Sequence, residues 1–462
     1  MRYLIIGGGP AATSALETIR QYDPEGTLTL VSDEPAHARM ALPYWLNGKI
    51  AREQTYTADE TTWEQLGVEA HIGRRATSLD ESARRVTLDD GTELAFDRLF
   101  LATGSSPVRP PIEGIDHPDV QTMWTLADVE RCLERFSDLA CPRIVFIGAG
   151  FVGMILVGAL SHRQCQLTVI EQEDHILPRM LDPAAASIAE AWLASRNVQV
   201  ITGATVQGIS VCEGNDKHVE LADGRTIDAD VVVLATGVRP NVGLVENTSI
   251  RTGQGILVDD HLQTNVEGIY AGGDVAQGPS LYDDEPVVHA IQPTAVDHGR
   301  VAGANMAGAD VSYPGSLLMN VVDVCGLQCV SYGNWQKGDE DVVVKNDRDS
   351  IYRRLVFQGD HLVGALFVGR AHEVGMLNDM GMVKGILQTR PSLGSWKSFL
   401  QENPLDIRRP YIALGVPNQL AGTTLLGRPS RPPHYRHQNA QPEPTNTEGH
   451  GQLLEAIQKS RS

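Results

Sequence analysis

The sequence is short of positive charge. Its 462 residues carry 38 Lys and Arg against 58 Asp and Glu, a formal charge of −20. Such a surface repels phosphate backbones and anionic headgroups, so neither nucleic acid nor a membrane surface is an expected partner. Cysteine is sparse too. Cys132, Cys141, Cys165, Cys212, Cys325 and Cys329 are scattered, without the spacing of a disulfide scaffold, which fits a cytoplasmic location. Cys325 and Cys329 form the one close pair. At i, i+4 they share a side of a helix or strand, their flanks read as β, and core packing is the expected role. Without further Cys or His spacing they make no zinc or iron–sulfur site, and no metal is expected. No secretory leader is expected, because the apolar start at residues 1–6 runs straight into glycines. The longest apolar stretch, residues 144–160, is short for a membrane span and is broken by Gly148, Gly150 and Gly153. With 42% hydrophobic and 21% charged residues the chain is globular, and long enough for two to four domains.

Glycine, by contrast, is plentiful, and two clusters of it carry a pattern. Tyr3-Leu4-Ile5-Ile6 reads as a buried strand, and Gly7-Gly8-Gly9-Pro10-Ala11-Ala12 leads from it into a helix ending near Tyr22. This is G-x-G-x-x-G/A: Gly7 for the tight turn, Gly9 for backbone approach to a pyrophosphate, Ala12 for close helix–strand packing. The free N–H groups and positive dipole end of the helix favour the phosphates. A second strand, Thr27-Leu28-Thr29-Leu30-Val31, ends in Ser32-Asp33-Glu34, and an acid about 20 residues after the glycines suits a ribose hydroxyl pair. Glu34 is preferred to Asp33.

The pattern recurs. Arg143-Ile144-Val145-Phe146-Ile147 is a strand, Gly148-Ala149-Gly150-Phe151-Val152-Gly153 a full fingerprint, and Leu167-Thr168-Val169-Ile170 ends at Glu171. That acid favours a free 2′-hydroxyl, hence NADH over NADPH, with His175 and Arg179 placed to soften the preference. Two fingerprints imply two dinucleotides, one an electron carrier and one a hydride donor.

Further segments resemble one family. Leu99-Phe100-Leu101-Ala102-Thr103-Gly104 and Val232-Val233-Leu234-Ala235-Thr236-Gly237 look like the paired A-T-G turns of the FAD-dependent pyridine nucleotide-disulfide oxidoreductases. Ile269-Tyr270-Ala271-Gly272-Gly273-Asp274-Val275-Ala276 resembles their second FAD motif, which implies that Asp274 accepts from the ribityl chain. The stretch from Gln292 to Met306, with Pro293 and Gly299, is similar to the helix whose N-terminus faces the flavin. The resemblance covers residues 1–370. Asp33-Glu34-Pro35 through Arg39-Met40-Ala41-Leu42-Pro43-Tyr44 is similar to the FAD-contact segment of the branch holding rubredoxin and ferredoxin reductases and the FAD part of NADH nitrite reductases. Arg39 and Tyr44 are thereby implied near the flavin, with Lys49 a further candidate.

The resemblance implies an α/β fold of two Rossmann-like domains and a C-terminal α+β interface domain. The FAD domain is expected at 1–114 and 242–315, the inserted NAD(P) domain at 115–241, and the third unit, which in the family closes over the flavin and supports dimers, at 316–427. A hairpin is expected about Gly359-Asp360. The tail from 428 is expected to lack order except for a short helix at 452–459, with His434 and His437 solvated rather than metal-bound. FAD sites are assigned to Gly7, Gly9, Pro10, Ala11, Ala12, Asp33, Glu34, Arg39, Thr103, Gly104, Gly273, Asp274, Gln292 and Pro293. NAD sites are assigned to Gly148, Gly150, Phe151, Val152, Gly153, Glu171, Thr236 and Gly237.

Two departures stand out. Single-cysteine relatives carry Cys-Gly-Leu-Pro-Tyr where this chain has Met40-Ala41-Leu42-Pro43-Tyr44, and no Cys precedes Cys132. Methionine is no nucleophile, so a thiol relay is not expected. Relatives commonly carry Glu near the nicotinamide where this chain has Ile155. The expected chemistry is hydride transfer from NADH to the flavin, needing no protein acid or base, then electron transfer to a small rubredoxin- or ferredoxin-like protein. Arg353, Arg354, Arg408 and Arg409 are candidates for a basic docking patch. The alternatives are an NADH oxidase using oxygen or a small acceptor, and a slow-turnover redox-responsive binding protein.

Overall fold

A computed structural model describes residues 1–425 except 138, 140, 164, 212–215, 423 and 424. Cys212, the tail from 428, its expected helix and His434 and His437 lie outside the described residues.

Two five-stranded parallel sheets dominate. In the first, the strand Arg2–Ile6 is central, flanked by Thr27–Ser32 and then Val68–Ile72 on one side, and by Arg98–Leu101 and then Ile269–Ala271 on the other. In the second, Arg143–Ile147 is central, between Gln166–Ile170 with Val198–Ile201 and Val231–Leu234 with Val120–Gln121. The central strands are apolar on both faces because both are covered: in the second sheet Ile144 and Phe146 pack with helix residues such as Met154 and Val157, while Val145 and Ile147 pack with Val206, Ile209 and Val219 of an antiparallel sheet. Each sheet is accompanied by a three-stranded antiparallel sheet, Ala76–Asp80 to Glu93–Ala95 and Val206–Val211 to Thr226–Ala229. Fully buried side chains such as Phe100 and Phe146 anchor the two cores, each contributing about 1.5–3 kcal/mol by burial.

The chain crosses between these halves twice, and the crossings pair. Ser105–Pro107 and Val238–Pro240 run antiparallel directly after the two A-T-G turns. Thr103 Oγ1 donates to Asn241 O at 2.9 Å, and Thr236 Oγ1 donates to Val108 O at 2.7 Å. Each turn is therefore tied to the opposite crossing strand.

The C-terminal unit is a five-stranded antiparallel sheet in the order Met319–Val324, Leu327–Gly333, His361–Arg370, Ile351–Gln358, Glu340–Asn346. The hairpin about Gly359-Asp360 is present. The helices from Val374–Thr389 onward cover one face, while Val322, Val324, Cys329 and Val368 on the other join the core of the second half. The cysteine pair corrects an expectation. Cys325 (φ 55°) and Gly326 (φ 86°) form the two-residue turn of a hairpin, and Cys329 sits within its second strand, so the two do not share one continuous element. Both are buried, and burial pushes both thiols up, away from reactivity. Among the described residues no helix is long and apolar enough to cross a membrane; residues 144–160 form a strand, a glycine turn and a helix.

Candidate functional site

One cavity of about 1180 Å³ joins the two glycine turns. A single small molecule usually occupies ~300–1,000 Å³, so there is room for more than one ligand. Both turns line it, in matching geometry. Gly7 has φ 112°, and a Cβ on it would stand 2.1 Å from Ala102 O; Gly148 has φ 104°, and a Cβ on it would stand 2.4 Å from Ala235 O. In each case the partner belongs to an A-T-G turn, so the chain must come back to a residue that lacks a side chain and tolerates positive φ. Gly9 and Gly150 are the N-caps of the helices Pro10–Tyr22 and Phe151–Leu160, and neither helix start is capped by a side chain. Both glycines line the cavity and have open space where a Cβ would be. Two uncapped helix N-termini facing one cavity fit two pyrophosphates.

The two acids are held differently. Glu34 is partly exposed in the cavity and accepts from Leu126 N at 3.2 Å; burial first, then the neighbouring Asp33, push its carboxyl above the usual range. Asp33 also borders the cavity but pairs with Arg75 at 2.7 Å. Glu171 is buried and accepts from Ala149 N at 2.7 Å and Glu173 N at 3.1 Å. Arg179 lines the cavity nearby, whereas His175 is turned to Asp174 and Leu181 O.

A polar network borders the same cavity. Ser105 Oγ donates to Asp274 Oδ2 at 2.6 Å, and Trp124 Nε1 donates to Ser105 O at 2.7 Å. The Arg39 guanidinium stacks on Trp124, 4.5 Å from the ring centroid, with Nη1 3.7 Å from Asp274 Oδ2. The helix Gln292–Met306 reaches this point because Gly299 and Gly303, one turn apart, press on Ala11 and Ala15 of the first fingerprint helix; a Cβ on Gly299 would stand 2.1 Å from Ala11 O. Its first residues, Gln292 and Pro293, line the cavity. Beneath, the Nδ1 of buried His298 accepts from Gly273 N at 3.3 Å. Burial lowers this imidazole to about 3, so it is neutral and its Nε2 carries the proton.

Of the residues assigned from sequence, the cavity brings together Gly7, Gly9, Pro10, Ala11, Asp33, Glu34, Arg39, Thr103, Gly104, Gly273, Asp274, Gln292 and Pro293, and also Gly148, Gly150, Phe151, Val152, Glu171, Thr236 and Gly237. Three assigned positions do not line it. Ala12 is fully buried, and Gly153 packs against Gly148 O and the Ala235 side chain, so both serve helix–strand packing. Tyr44 is 52% exposed, because the five-residue helix Leu42–Leu46 turns Leu42 and Leu46 inward and leaves Tyr44 outside. Met40 and Pro43 from the same segment face the cavity instead. Lys49 is also exposed and outside it. None of the four arginines named for a basic docking patch borders the cavity. Arg353 is buried against Asp379 and Glu373, and Arg354 pairs with Asp341 and with Asp182, the N-cap of the helix Pro183–Ala194. Arg408 and Arg409 are exposed but do not border the cavity. Trp124, Ser105 and the strand start Met319-Asn320-Val321 were not anticipated; no local motif marks them. Ile155 lines the cavity as expected from its place one turn into the second fingerprint helix.

Residues 1–295 match the family described as pyridine nucleotide-disulphide oxidoreductase, and residues 319–380 match the rubredoxin NAD+ reductase C-terminal domain. The NADH-dependent phenylglyoxylate dehydrogenase subunit epsilon of Aromatoleum evansii is 29% identical over 418 residues, covering 89% of this chain and 97% of that protein. The NADH oxidase of Methanocaldococcus jannaschii is 30% identical over 323 residues, 68% of this chain and 71% of that one. The solved structure of a NAD-dependent persulfide reductase from A. fulgidus superposes with a TM-score of 0.78 at 28% identity, over 86% of this chain and 78% of the other.

Proposed function

The chain belongs to the pyridine nucleotide-disulphide oxidoreductase family, and from that premise we propose that it oxidises NADH through FAD and hands the electrons to a separate small redox protein, without a thiol relay. The observation that carries this reading is the single cavity joining two uncapped glycine cradles, with no cysteine among the described residues that line it. Met40 borders it where single-cysteine relatives place a thiol.

FAD, when bound, would accept one hydride, an electron pair with its proton, and release the two electrons singly. The protein's part is positional. Gly7, Gly9 and the helix start at Pro10 receive one pyrophosphate, and Glu34 its ribose. Asp274, held by Ser105 and flanked by Arg39, accepts from the ribityl chain. Gly148, Gly150 and the start at Phe151 receive the pyrophosphate of NADH, with Glu171 at its ribose. Phe151, Val152 and Ile155 exclude water where the two ligands meet, and alignment there replaces any need for a protein acid or base.

The protein acceptor is supported by the rubredoxin reductase domain match and by the near full-length relative that is a subunit of a larger NADH-dependent dehydrogenase. The oxidase named among the relatives keeps oxygen as the second reading. Anaerobic titration of the FAD-loaded protein with NADH and with NADPH tests the proposal. Stoichiometric bleaching by NADH in preference to NADPH is expected, followed by rapid reoxidation by rubredoxin or ferredoxin and slow reoxidation by air. Fast reoxidation by air alone would favour the oxidase. A flavin that dithionite reduces and neither nucleotide does would overturn the reductase reading in favour of a binding protein.

A further inference from the structure

We propose that Asn320 recognises the carboxamide of the nicotinamide ring and so sets both the affinity and the alignment of the hydride donor; the inference rests on the reading above that NADH occupies the second cradle. Asn320 lies in the strand Met319–Val324, an edge of the C-terminal sheet whose first three residues line the cavity.

Its placement follows from how that strand meets the second fingerprint helix. A Cβ on Gly158 would stand 2.8 Å from Asp323 O, so helix and strand touch there at backbone distance. Trp192 Nε1, donating to Cys325 O at 3.1 Å, fixes the hairpin end beside it. Side chains alternate along a strand, which puts Asn320 on the same side as Val322 and Val324. Those two are buried in one cluster with Met154, Leu156 and Val157 of the helix. From Gly158, seven residues back along the helix is about 10 Å and ends at Phe151. Three residues back along the strand from Asp323 is also about 10 Å and ends at Asn320. Asn320, Phe151 and Ile155 all line the cavity, as a strand running alongside the helix in the same direction would place them.

The helix residues set against this amide, Phe151 and Ile155, are apolar and line the same cavity. Thr103 donates to Asn241 O, and Asp274 is engaged by Ser105 and Arg39. Among the described residues the Asn320 amide has no hydrogen-bond partner. Gln292, also unpaired there, belongs to the helix packed on the first cradle. An Asn side chain offers one acceptor and two donors, complementary to a primary carboxamide through a two-point hydrogen bond. Beside Ile155 that bond is shielded from water, which strengthens it. Being neutral, it also adds no charge next to the flavin, as a carboxylate at position 155 would.

Calorimetry on the FAD-loaded protein with two probes, NAD+ and ADP-ribose, tests this. ADP-ribose has the whole dinucleotide handle but no carboxamide. Asn320→Ala is expected to weaken NAD+ by about tenfold, the worth of one or two shielded hydrogen bonds, and to leave ADP-ribose unchanged. The wild type is expected to prefer NAD+ to 3-acetylpyridine adenine dinucleotide, which lacks the amide donors, and N320A to lose that preference. Equal weakening of NAD+ and ADP-ribose, or unchanged NAD+ affinity, would overturn the proposal. Failure of the wild type to bind ADP-ribose would instead sink the placement of NADH in this cradle, and the proposal with it.

Discussion

Gly7 and Gly148 hold the same positive-φ backbone, 112° and 104°, under the carbonyls of Ala102 and Ala235, and both lead into a helix with no side-chain cap. Beyond those first turns the two cradles part. The first is closed by a polar net of Arg39, Trp124, Ser105 and Asp274, drawn from four separate stretches of chain. The second is closed by Phe151, Val152 and Ile155, with its acid already pinned to two backbone amides. The same local motif therefore serves two different binding regimes. Many charge-assisted contacts suit a cofactor that stays, whereas apolar side chains with one free amide suit a ligand that must leave after each turnover.

The largest effects should come from breaking the shared part. A Cβ at positive φ costs about 1–3 kcal/mol before any clash, and here it also meets a carbonyl. Gly7→Ala is expected to purify without flavin and with a lowered melting temperature. Gly148→Ala is expected to keep its FAD but no longer be bleached by NADH. The flavin-to-protein absorbance ratio and the anaerobic titration separate the two, and loss of flavin from both would mean that the cradles are not independent. Next in size is the polar net. Ser105→Ala removes a hydrogen bond to a carboxylate, worth about 1.5–3 kcal/mol, so on dilution FAD should already dissociate at roughly 10- to 100-fold higher concentration of protein, read from released flavin fluorescence, with ADP-ribose binding unaltered.

The acids sharpen the comparison with smaller effects. Burial holds the Glu34 carboxyl above its ordinary range near ~4.3, so folding favours its protonated form. Stability from this group is full below the unfolded value and is lost as pH rises through the folded one. Glu34→Gln should accordingly raise the melting temperature of the FAD-free protein at neutral pH, with the gain vanishing below about pH 4, while weakening FAD. Glu171→Gln sets an amide NH2 against a backbone N–H and should lower stability slightly and narrow the preference for NADH over NADPH by a few-fold in kcat/KM. An unchanged melting temperature of FAD-free Glu34→Gln at neutral pH would contradict the buried environment described for that acid.

What could be read from the order of residues was local. The fingerprint turns, the helices Pro10–Tyr22 and Gln292–Met306, the hairpin about Gly359-Asp360 and the acids at the strand ends each depend on dihedral preferences and spacing within about 30 residues. Side-chain direction in the short helix Leu42–Leu46 was not readable, because five residues carry too little periodicity to show that Tyr44 faces out. Nor was the turn at Cys325, where the i, i+4 spacing spans two strands instead of one. Ser105, Trp124 and Asn320 come from a crossing strand, a connecting segment and the edge of the last sheet, and they meet the site only because separate cores pack together. The sequence alone determined that two dinucleotide cradles exist. The tertiary structure decided how each is closed, since closure depends on contacts between segments that no local spacing relates.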